Sequence, residues 1–177
     1  MSDRDVHDEA SNAGEGPATP PLPVRDRTEL ADARLRLLSA ARRRIAIYQP
    51  VLSDDVYGSV AELAELRRLA TSGRGAEIRL IVHGPEDALR DNHRLVALAQ
   101  RLSSIVLVRT PLEEVDLAYA SSYLLTDQGG YLFLPDARRA DGRAALADRA
   151  AQAPLLQHFN EVWERSARAT AWLPLDL

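Results

Sequence analysis

Residues 45–82, with the sequence IAIYQPVLSDDVYGSVAELAELRRLATSGRGAEIRLIV, contain the pattern that decides the fold of this chain. Two short apolar runs, at residues 45–48 and 77–82, are typical of buried strands because they are rich in isoleucine and adjoin turn residues. Between them, apolar side chains recur at helical spacing as far as Ala70, which predicts a helix that begins at Ser53-Asp54-Asp55. A strand, a helix and a second strand in this order predict a crossover connection between parallel strands.

Helices and strands continue to alternate on both sides of this unit. Further helices are predicted over residues 28–44, 91–102 and 153–166. Further strands are predicted over residues 105–109, 122–126 and 131–134. The last two strands flank Asp127-Gln128-Gly129-Gly130, which is typical of a hairpin turn. The whole pattern predicts an α/β fold with a mixed, mostly parallel sheet flanked by helices.

The composition limits the chemistry that this chain can perform. It has 177 residues, a formal net charge of −4 and no cysteine, and all 22 of its basic residues are arginine. Disulfides, thiol catalysis and lysine Schiff bases are therefore excluded. The sequence contains no apolar run of the ~18 residues that a membrane span requires, and no histidine pair with the spacing of a metal site. We expect a cytoplasmic protein without a membrane partner, cofactor or metal.

The first 27 residues differ in composition from the rest of the chain. They contain four of the ten prolines, and their six acidic residues outnumber their three arginines. A segment of this kind buries too little apolar surface to offset the entropy lost on ordering. We therefore expect a disordered tail over residues 1–27, followed by a single domain over residues 28–177.

Several segments together resemble one half of a phospholipase D-like domain. The chain has a strand that ends in Tyr48-Gln49-Pro50, a helix followed by Ser72-Gly73-Arg74-Gly75, and a strand with the sequence EIRLIV. The resemblance extends to Phe159 and Trp163 in the last helix. It implies the fold of that family, in which two such halves related by a two-fold axis build one active site.

A second resemblance rests on HRL at residues 93–95, LSS at residues 102–104 and FNEVWERS at residues 159–166. These segments are similar to a bacterial domain family of unassigned function, whose members stand alone or follow an acetyltransferase domain. This resemblance implies an acetyltransferase-domain protein as a partner, whereas the two-fold arrangement of phospholipase D-like halves implies a second copy of the chain.

The catalytic motif of the phospholipase D-like enzymes is degenerate in this chain. Active members carry a His-x-Lys pair followed by an aspartate; the histidine attacks phosphorus and the lysine holds the phosphoryl oxygens. When the aspartate is aligned with Asp127, the histidine position falls on Ala120 and the lysine position on Ser122. Neither side chain can replace a nucleophile or a charge stabiliser. We expect no phosphodiesterase activity, and Asp127 is interpreted as a turn residue.

His83, His93 and Arg94 are the candidate binding residues that remain. His83 closes a predicted strand, and ligands collect at the carboxyl ends of strands in open α/β sheets. His93 and Arg94 open the next predicted helix, where free N–H groups favour an anion. Arg79 or Arg109 could complete such a phosphate site, depending on which face of the sheet each side chain takes. The alternative is that these residues serve only local capping and ion pairing.

Three classes of function are compatible with these observations. The first is an inactive domain that binds another protein or a second copy of itself, which the apolar residues 171–177 favour. The second is a module that binds a phosphate-containing ligand or nucleic acid at the former catalytic cleft. The third is an enzyme with an unrecognised histidine-based site. The run Arg42-Arg43-Arg44 is interpreted as the solvated end of a helix, because nucleic-acid binding requires a wider basic stripe.

Overall fold

A seven-stranded sheet forms the centre of the computed structural model, which describes residues 19–174. The strands are β1 (Arg44–Gln49), β2 (Glu77–Val82), β3 (Val106–Thr110), β4 (Ser122–Thr126), β5 (Tyr131–Leu134), β6 (Arg143–Ala145) and β7 (Ala167–Arg168). The helices are α1 (Arg27–Ala40), α2 (Val60–Ala70), α3 (Pro85–Arg90), α4 (Arg94–Arg101), α5 (Glu114–Leu117) and α6 (Arg149–Glu164), and a 3₁₀ turn follows at Thr170–Trp172. Within residues 19–174, no helix has the length and apolar character needed to cross a membrane.

The strand order across the sheet is β6-β5-β4-β1-β2-β3-β7. Strands β1, β2 and β3 run parallel to one another, whereas the four other pairings are antiparallel. The α/β fold with flanking helices is confirmed, but the expectation of a mostly parallel sheet is wrong. Connection length explains two of the four antiparallel pairings, because parallel neighbours need a crossover such as α2, while shorter connections join β4, β5 and β6. The β1–β4 and β3–β7 pairings join strands that are distant in sequence.

The two faces of the sheet are covered unequally. Helices α1, α2 and α4 pack on one face, where the buried core includes Leu37, Leu66 and Leu98. The opposite face, termed the α6 face, packs against Phe159 and Trp163 of α6. A helix is about 10 Å wide and strands lie about 4.8 Å apart, so α6 covers roughly two strands. Part of the α6 face along β1, β2 and β3 consequently stays open to solvent.

The observed helix boundaries differ from the sequence prediction, and the differences at α2 and α1 have a clear structural cause. Helix α2 begins directly after Ser59, because Ser59 and Glu62 form a capping box in which each side chain accepts the other's backbone N–H. Glu62 is buried and pairs with Arg34 of α1, which fixes this start against the neighbouring helix. Helix α1 ends at Ala40, so Arg42-Arg43-Arg44 occupies the turn before β1 and the first position of β1.

The chain joins the fold before α1 begins. Leu22 and Val24 are buried, and their backbones bond to the segment around β6. The Leu22 N–H donates to Ala144 O at 2.8 Å, and the Gly142 N–H donates to Val24 O at 3.0 Å. Residues 19–27 therefore depart from the expected disordered tail, because two apolar side chains and two backbone hydrogen bonds tie them to a distant strand. The rest of that expected tail, residues 1–18, lies outside the described residues.

The C-terminal segment packs on its own domain. Trp172 is buried, and its indole N–H donates to Pro85 O at 2.8 Å. The sequence is compatible with residues 171–177 packing either on their own domain or on a partner. Trp172 packs on its own domain. Residues 175–177 lie outside the described residues.

Candidate anion-binding site

Three arginine side chains lie on neighbouring strands of the α6 face. Arg79 is on β2, Arg109 on β3 and Arg168 on β7, and side chains alternate along each strand so that all three take the same face. Arg109 and Arg168 are directly opposite each other in the antiparallel pair of β3 and β7. Like charges at such positions destabilise a sheet, so packing alone does not favour this arrangement.

The three arginines line a cavity of about 560 Å³ between β3, the end of α6 and the C-terminal segment. Ser103 and Ser104 also line this space, termed the arginine cavity. Its lining contains no carboxylate in the part of the chain that the structure describes. Guanidinium and hydroxyl groups are the hydrogen-bond donors that hold phosphate and other oxyanions. The arginine cavity is therefore a candidate anion-binding site.

Trp163 holds two of these guanidinium groups in place. Its ring centroid lies 4.6 Å from the guanidinium carbon of Arg109 and 5.3 Å from that of Arg79, within cation–π range. The backbone carbonyl of Trp163 accepts a hydrogen bond of 2.6 Å from Arg109 Nη1. Phe159 stacks on the same indole ring and fixes its position. Both guanidinium groups thus have defined positions before any ligand binds.

Arg79 and Arg168 retain donors that the described residues do not satisfy. The Arg79 Nε atom lies 2.7 Å from Glu77 Oε1, but without the alignment of a hydrogen bond. A buried donor without an acceptor costs roughly 1–3 kcal/mol, and Arg79 Nε is such a donor among residues 19–174. Arg168 is exposed and forms no ion pair within the same residues. An oxyanion in the cavity would give both side chains a further acceptor, in competition with Glu77 at Arg79.

A second cavity of about 300 Å³ shares Arg79 with the first. Arg44 and Arg149 line it together with the carboxylates of Glu77 and Asp127. This second cavity therefore has mixed charge, with more arginines than carboxylates. It extends the basic surface from β2 to β1 and to the start of α6.

The positions of the degenerate motif lie on and around β4. Ala120 is exposed, Ser122 is buried at the start of β4, and neither lines the arginine cavity. The Asp127 carboxylate accepts backbone N–H groups of residues 42, 43 and 44 at 3.0, 2.9 and 3.3 Å. Burial raises the pKa of Asp127, but these hydrogen bonds outweigh it and hold the pKa below its usual value. Asp127 thus fixes the turn between α1 and β1.

The structure does not bring His83, His93 and Arg94 together into one site. His93 is buried and caps α4: its Nδ1 accepts the Leu95 N–H at 3.1 Å, and its Nε2 lies 3.0 Å from two loop carbonyls. Arg94 is exposed and lines a cavity together with three aspartates. His83 does not line this cavity. Because both ring nitrogens of His93 are engaged and Arg94 has acidic neighbours, this place is poorly suited to an anion.

His83 belongs to an aromatic cluster at the carboxyl ends of β1 and β2. Its Nε2 lies 3.0 Å from the Tyr48 hydroxyl, which also donates to the backbone carbonyl of Asp116 at 3.1 Å. His158 of α6 is paired similarly, with Nδ1 at 2.8 Å from the Tyr123 hydroxyl. Burial lowers the pKa of both histidines, and the nearby charge of Asp116 opposes this shift.

Asp116 is the buried carboxylate of this cluster. Arg165 donates to both of its oxygens at 2.6 Å, and these hydrogen bonds hold the pKa of Asp116 below its usual value. Within residues 19–174, the side-chain hydrogen bonds of the histidines go to hydroxyl, carbonyl and amide groups and not to carboxylates. A carboxylate within ~3 Å of a histidine would support a histidine-based active site, and no histidine of residues 19–174 has such a hydrogen bond.

Sequence reasoning found part of the arginine cavity and missed the rest. The sequence offers Arg79 and Arg109 as candidate partners of an anion, but it gives no signal for Arg168 and assigns Trp163 to the core. Side chains alternate between the two faces of a strand. This alternation in EIRLIV and IVLVR would place Arg79 and Arg109 on one face of the sheet once the register of the two strands is known. Arg168 lies in a two-residue strand, which is too short to show any periodicity.

The fold is that of a phospholipase D-like α/β domain, and the two cavities give it a basic surface on one face of its sheet. Residues 26–173 match the family model of a domain of unknown function, DUF7931, and the chain belongs to that family. A search of curated protein sequences found no significant match.

Solved structures with this fold share little sequence with the chain. TrmBL2, an archaeal chromatin protein with a novel mode of DNA binding, is 14% identical with a TM-score of 0.61, over 88% of this chain and 56% of its own. Nuc, a phospholipase D family member from Salmonella typhimurium, is 10% identical with a TM-score of 0.54, over 76% and 87%. Phosphatidylserine synthase from Haemophilus influenzae Rd KW20 is 14% identical with a TM-score of 0.58, over 87% and 40%. At this level of identity the similarities establish the fold alone.

Proposed function

We propose that this chain is a catalytically inactive phospholipase D-like domain that binds a phosphate-containing anion in the arginine cavity. The observation that carries the proposal is the convergence of Arg79, Arg109 and Arg168 on a space whose described lining has no carboxylate. Two of these arginines are held by Trp163, so little side-chain entropy is lost when an anion binds. The site differs from the former catalytic cleft, where the sequence alone had suggested a ligand.

The inactivity follows from the residues at the motif positions. Ala120 and Ser122 provide neither a nucleophile nor a cation for phosphoryl oxygens, and the chain contains no lysine. A non-catalytic role is compatible with the fold, because TrmBL2 is a chromatin protein that binds DNA.

Both tryptophans of the chain line the arginine cavity and provide a direct reporter of binding. We would titrate the protein with inorganic phosphate at constant ionic strength and follow tryptophan fluorescence. A saturable change is expected, and Arg79→Gln and Arg168→Gln should each weaken binding about tenfold, because a charge-assisted hydrogen bond contributes roughly 1.5–3 kcal/mol.

The matched control is Arg67→Gln, since Arg67 is exposed on α2, on the opposite face of the sheet. It should bind phosphate like the wild type. Absence of a saturable change in the wild type, or equal weakening by Arg67→Gln and Arg168→Gln, would show that the cavity does not bind phosphate.

A second candidate function is association with another copy of this chain or with an acetyltransferase-domain protein. It is favoured by three exposed apolar side chains around α5, Leu112, Val115 and Leu117, which are 64%, 72% and 46% exposed. Clustered apolar side chains of this kind are typical of interaction surfaces. Sedimentation velocity of the wild type and of a Leu112→Ser/Val115→Ser variant tests self-association. A monomeric wild type at high concentration would exclude the dimer.

A further inference from the structure

Arginines continue from the arginine cavity across the α6 face. Arg79 lines both cavities, and beyond it the second cavity is lined by Arg44, the first residue of β1, and Arg149, the first residue of α6. We term the row formed by Arg168, Arg109, Arg79, Arg44 and Arg149 the basic stripe.

One end of the basic stripe is widened by two segments that are distant in sequence. Arg43 Nη1 donates to the backbone carbonyl of Arg74 at 2.5 Å, and Arg44 Nε donates to that of Gly75 at 3.2 Å. The triple arginine and the turn after α2 therefore lie against each other. The wide basic surface that nucleic-acid binding requires is thus formed by the fold, although no single stretch of sequence contains it.

The carboxylates near the stripe offset only part of its charge. Glu77 and Asp127 line the second cavity, against five arginines in the stripe as a whole. Asp127 is already engaged by three backbone N–H groups. Glu77 is the carboxylate within 4 Å of Arg79. The stripe therefore keeps a net positive charge.

The stripe is too long for one phosphate group. Strands lie about 4.8 Å apart, and β7, β3, β2 and β1 are consecutive in the sheet. The arginines on these strands therefore span ~14 Å across the sheet, and the register offsets them further along the strands. A ligand that contacts both cavities must carry several anionic groups on one chain. A phosphodiester backbone has this character, and arginine binds phosphate through paired N–H donors.

We infer that the basic stripe binds single-stranded nucleic acid through its phosphodiester backbone. The inference rests on the proposed function and extends it from one phosphate to a chain of phosphates. The arginines lie in clefts beside α6, where the Arg79 side chain is only 35% exposed. A flexible single strand can follow such clefts, whereas a stiff duplex would contact only their rims. The Trp163 ring is covered by Phe159 and two guanidinium groups, so base stacking is absent there and sequence preference should be weak.

The test measures fluorescence anisotropy of labelled 20-nucleotide dT and rU strands and of a 20-base-pair duplex, over a range of salt concentrations. The wild type should bind both single strands more tightly than the duplex, with a slope of log K against log[salt] of about −3. Arg44→Gln and Arg149→Gln should each weaken single-strand binding about three- to tenfold and reduce the slope by about 0.7. The same two variants should bind inorganic phosphate like the wild type, because neither residue lines the arginine cavity.

Arg168→Gln should weaken the binding of both phosphate and single strands, and Arg67→Gln should change neither. Tighter binding of the duplex, or unchanged single-strand binding in Arg44→Gln and Arg149→Gln, would overturn the inference. Phosphate binding without oligonucleotide binding would also overturn it and leave the proposed function intact. If the wild type binds neither inorganic phosphate nor oligonucleotides, the proposed function itself is wrong.

Discussion

Glu77 is the carboxylate that competes with a ligand for Arg79. Its Oε1 atom lies 2.7 Å from Arg79 Nε on the same face of β2. We predict that Glu77→Gln raises the affinity for inorganic phosphate about two- to fivefold, because half-exposed ion pairs of this kind contribute roughly 0.2–1 kcal/mol. The tryptophan fluorescence titration measures the change.

The control for this variant is Glu86→Gln, which removes an exposed carboxylate of α3 and should leave phosphate affinity unchanged. Weaker phosphate binding by Glu77→Gln would mean that Glu77 orients Arg79 for the ligand. The prediction would then be wrong, although the cavity would still be an anion site.

The aromatic cluster should make the stability of the protein depend on pH. Burial lowers the pKa of His83 and His158 in the folded protein. As pH falls below about 6.5, the unfolded chain gains protons that the folded protein takes up only at lower pH. The free energy of unfolding should therefore decrease from pH 7 toward pH 5. Urea denaturation at several pH values measures this decrease.

The double variant His83→Asn/His158→Asn tests the origin of the pH dependence. It should flatten the profile between pH 7 and pH 5, because no group with a lowered histidine pKa remains in the cluster. An equally steep profile in this variant would assign the pH dependence to other residues.

Helices and strands could be predicted from the sequence where the local residue pattern determines them. They could be predicted less well where contacts with residues distant in sequence determine them. The strand–helix–strand unit at residues 45–82 and the turn at residues 127–130 follow from periodicity and turn residues. Strand direction does not, since it depends on connection length and on which neighbour a strand joins. The start of α2 had a sequence signal in the Ser59–Glu62 capping box, which the acidic turn at residues 53–55 obscured.

The candidate site was less predictable than the fold for the same physical reason. A helix start suggested an anion near His93, but the structure engages both ring nitrogens in the loop before α2 and in the cap of α4. The arginine cavity combines residues of β2, β3, β7 and α6. Register and packing, which act over long distances in sequence, determine that combination.

At the scale of the whole molecule, the segment before α1 contributes to stability. Leu22 and Val24 are buried and join β6 to the rest of the chain. We predict that a chain starting at residue 26 is less stable than one starting at residue 19 by about 3–5 kcal/mol, since burying each such side chain contributes roughly 1.5–3 kcal/mol. Urea unfolding of the two chains gives the difference. Equal stability would show that residues 19–25 are dispensable, as expected for a tail.

The whole molecule should lack phosphodiesterase activity. The histidines of the described residues all have other partners: His83 and His158 contact tyrosine hydroxyls, and His93 caps α4. No histidine occupies the nucleophile position of the motif, because Ala120 and Ser122 stand at the histidine and lysine positions. We predict only background hydrolysis of bis(p-nitrophenyl) phosphate, phospholipid vesicles and single-stranded DNA. Turnover above background that disappears in His83→Ala or His158→Ala would contradict the prediction and identify the aromatic cluster as an active site.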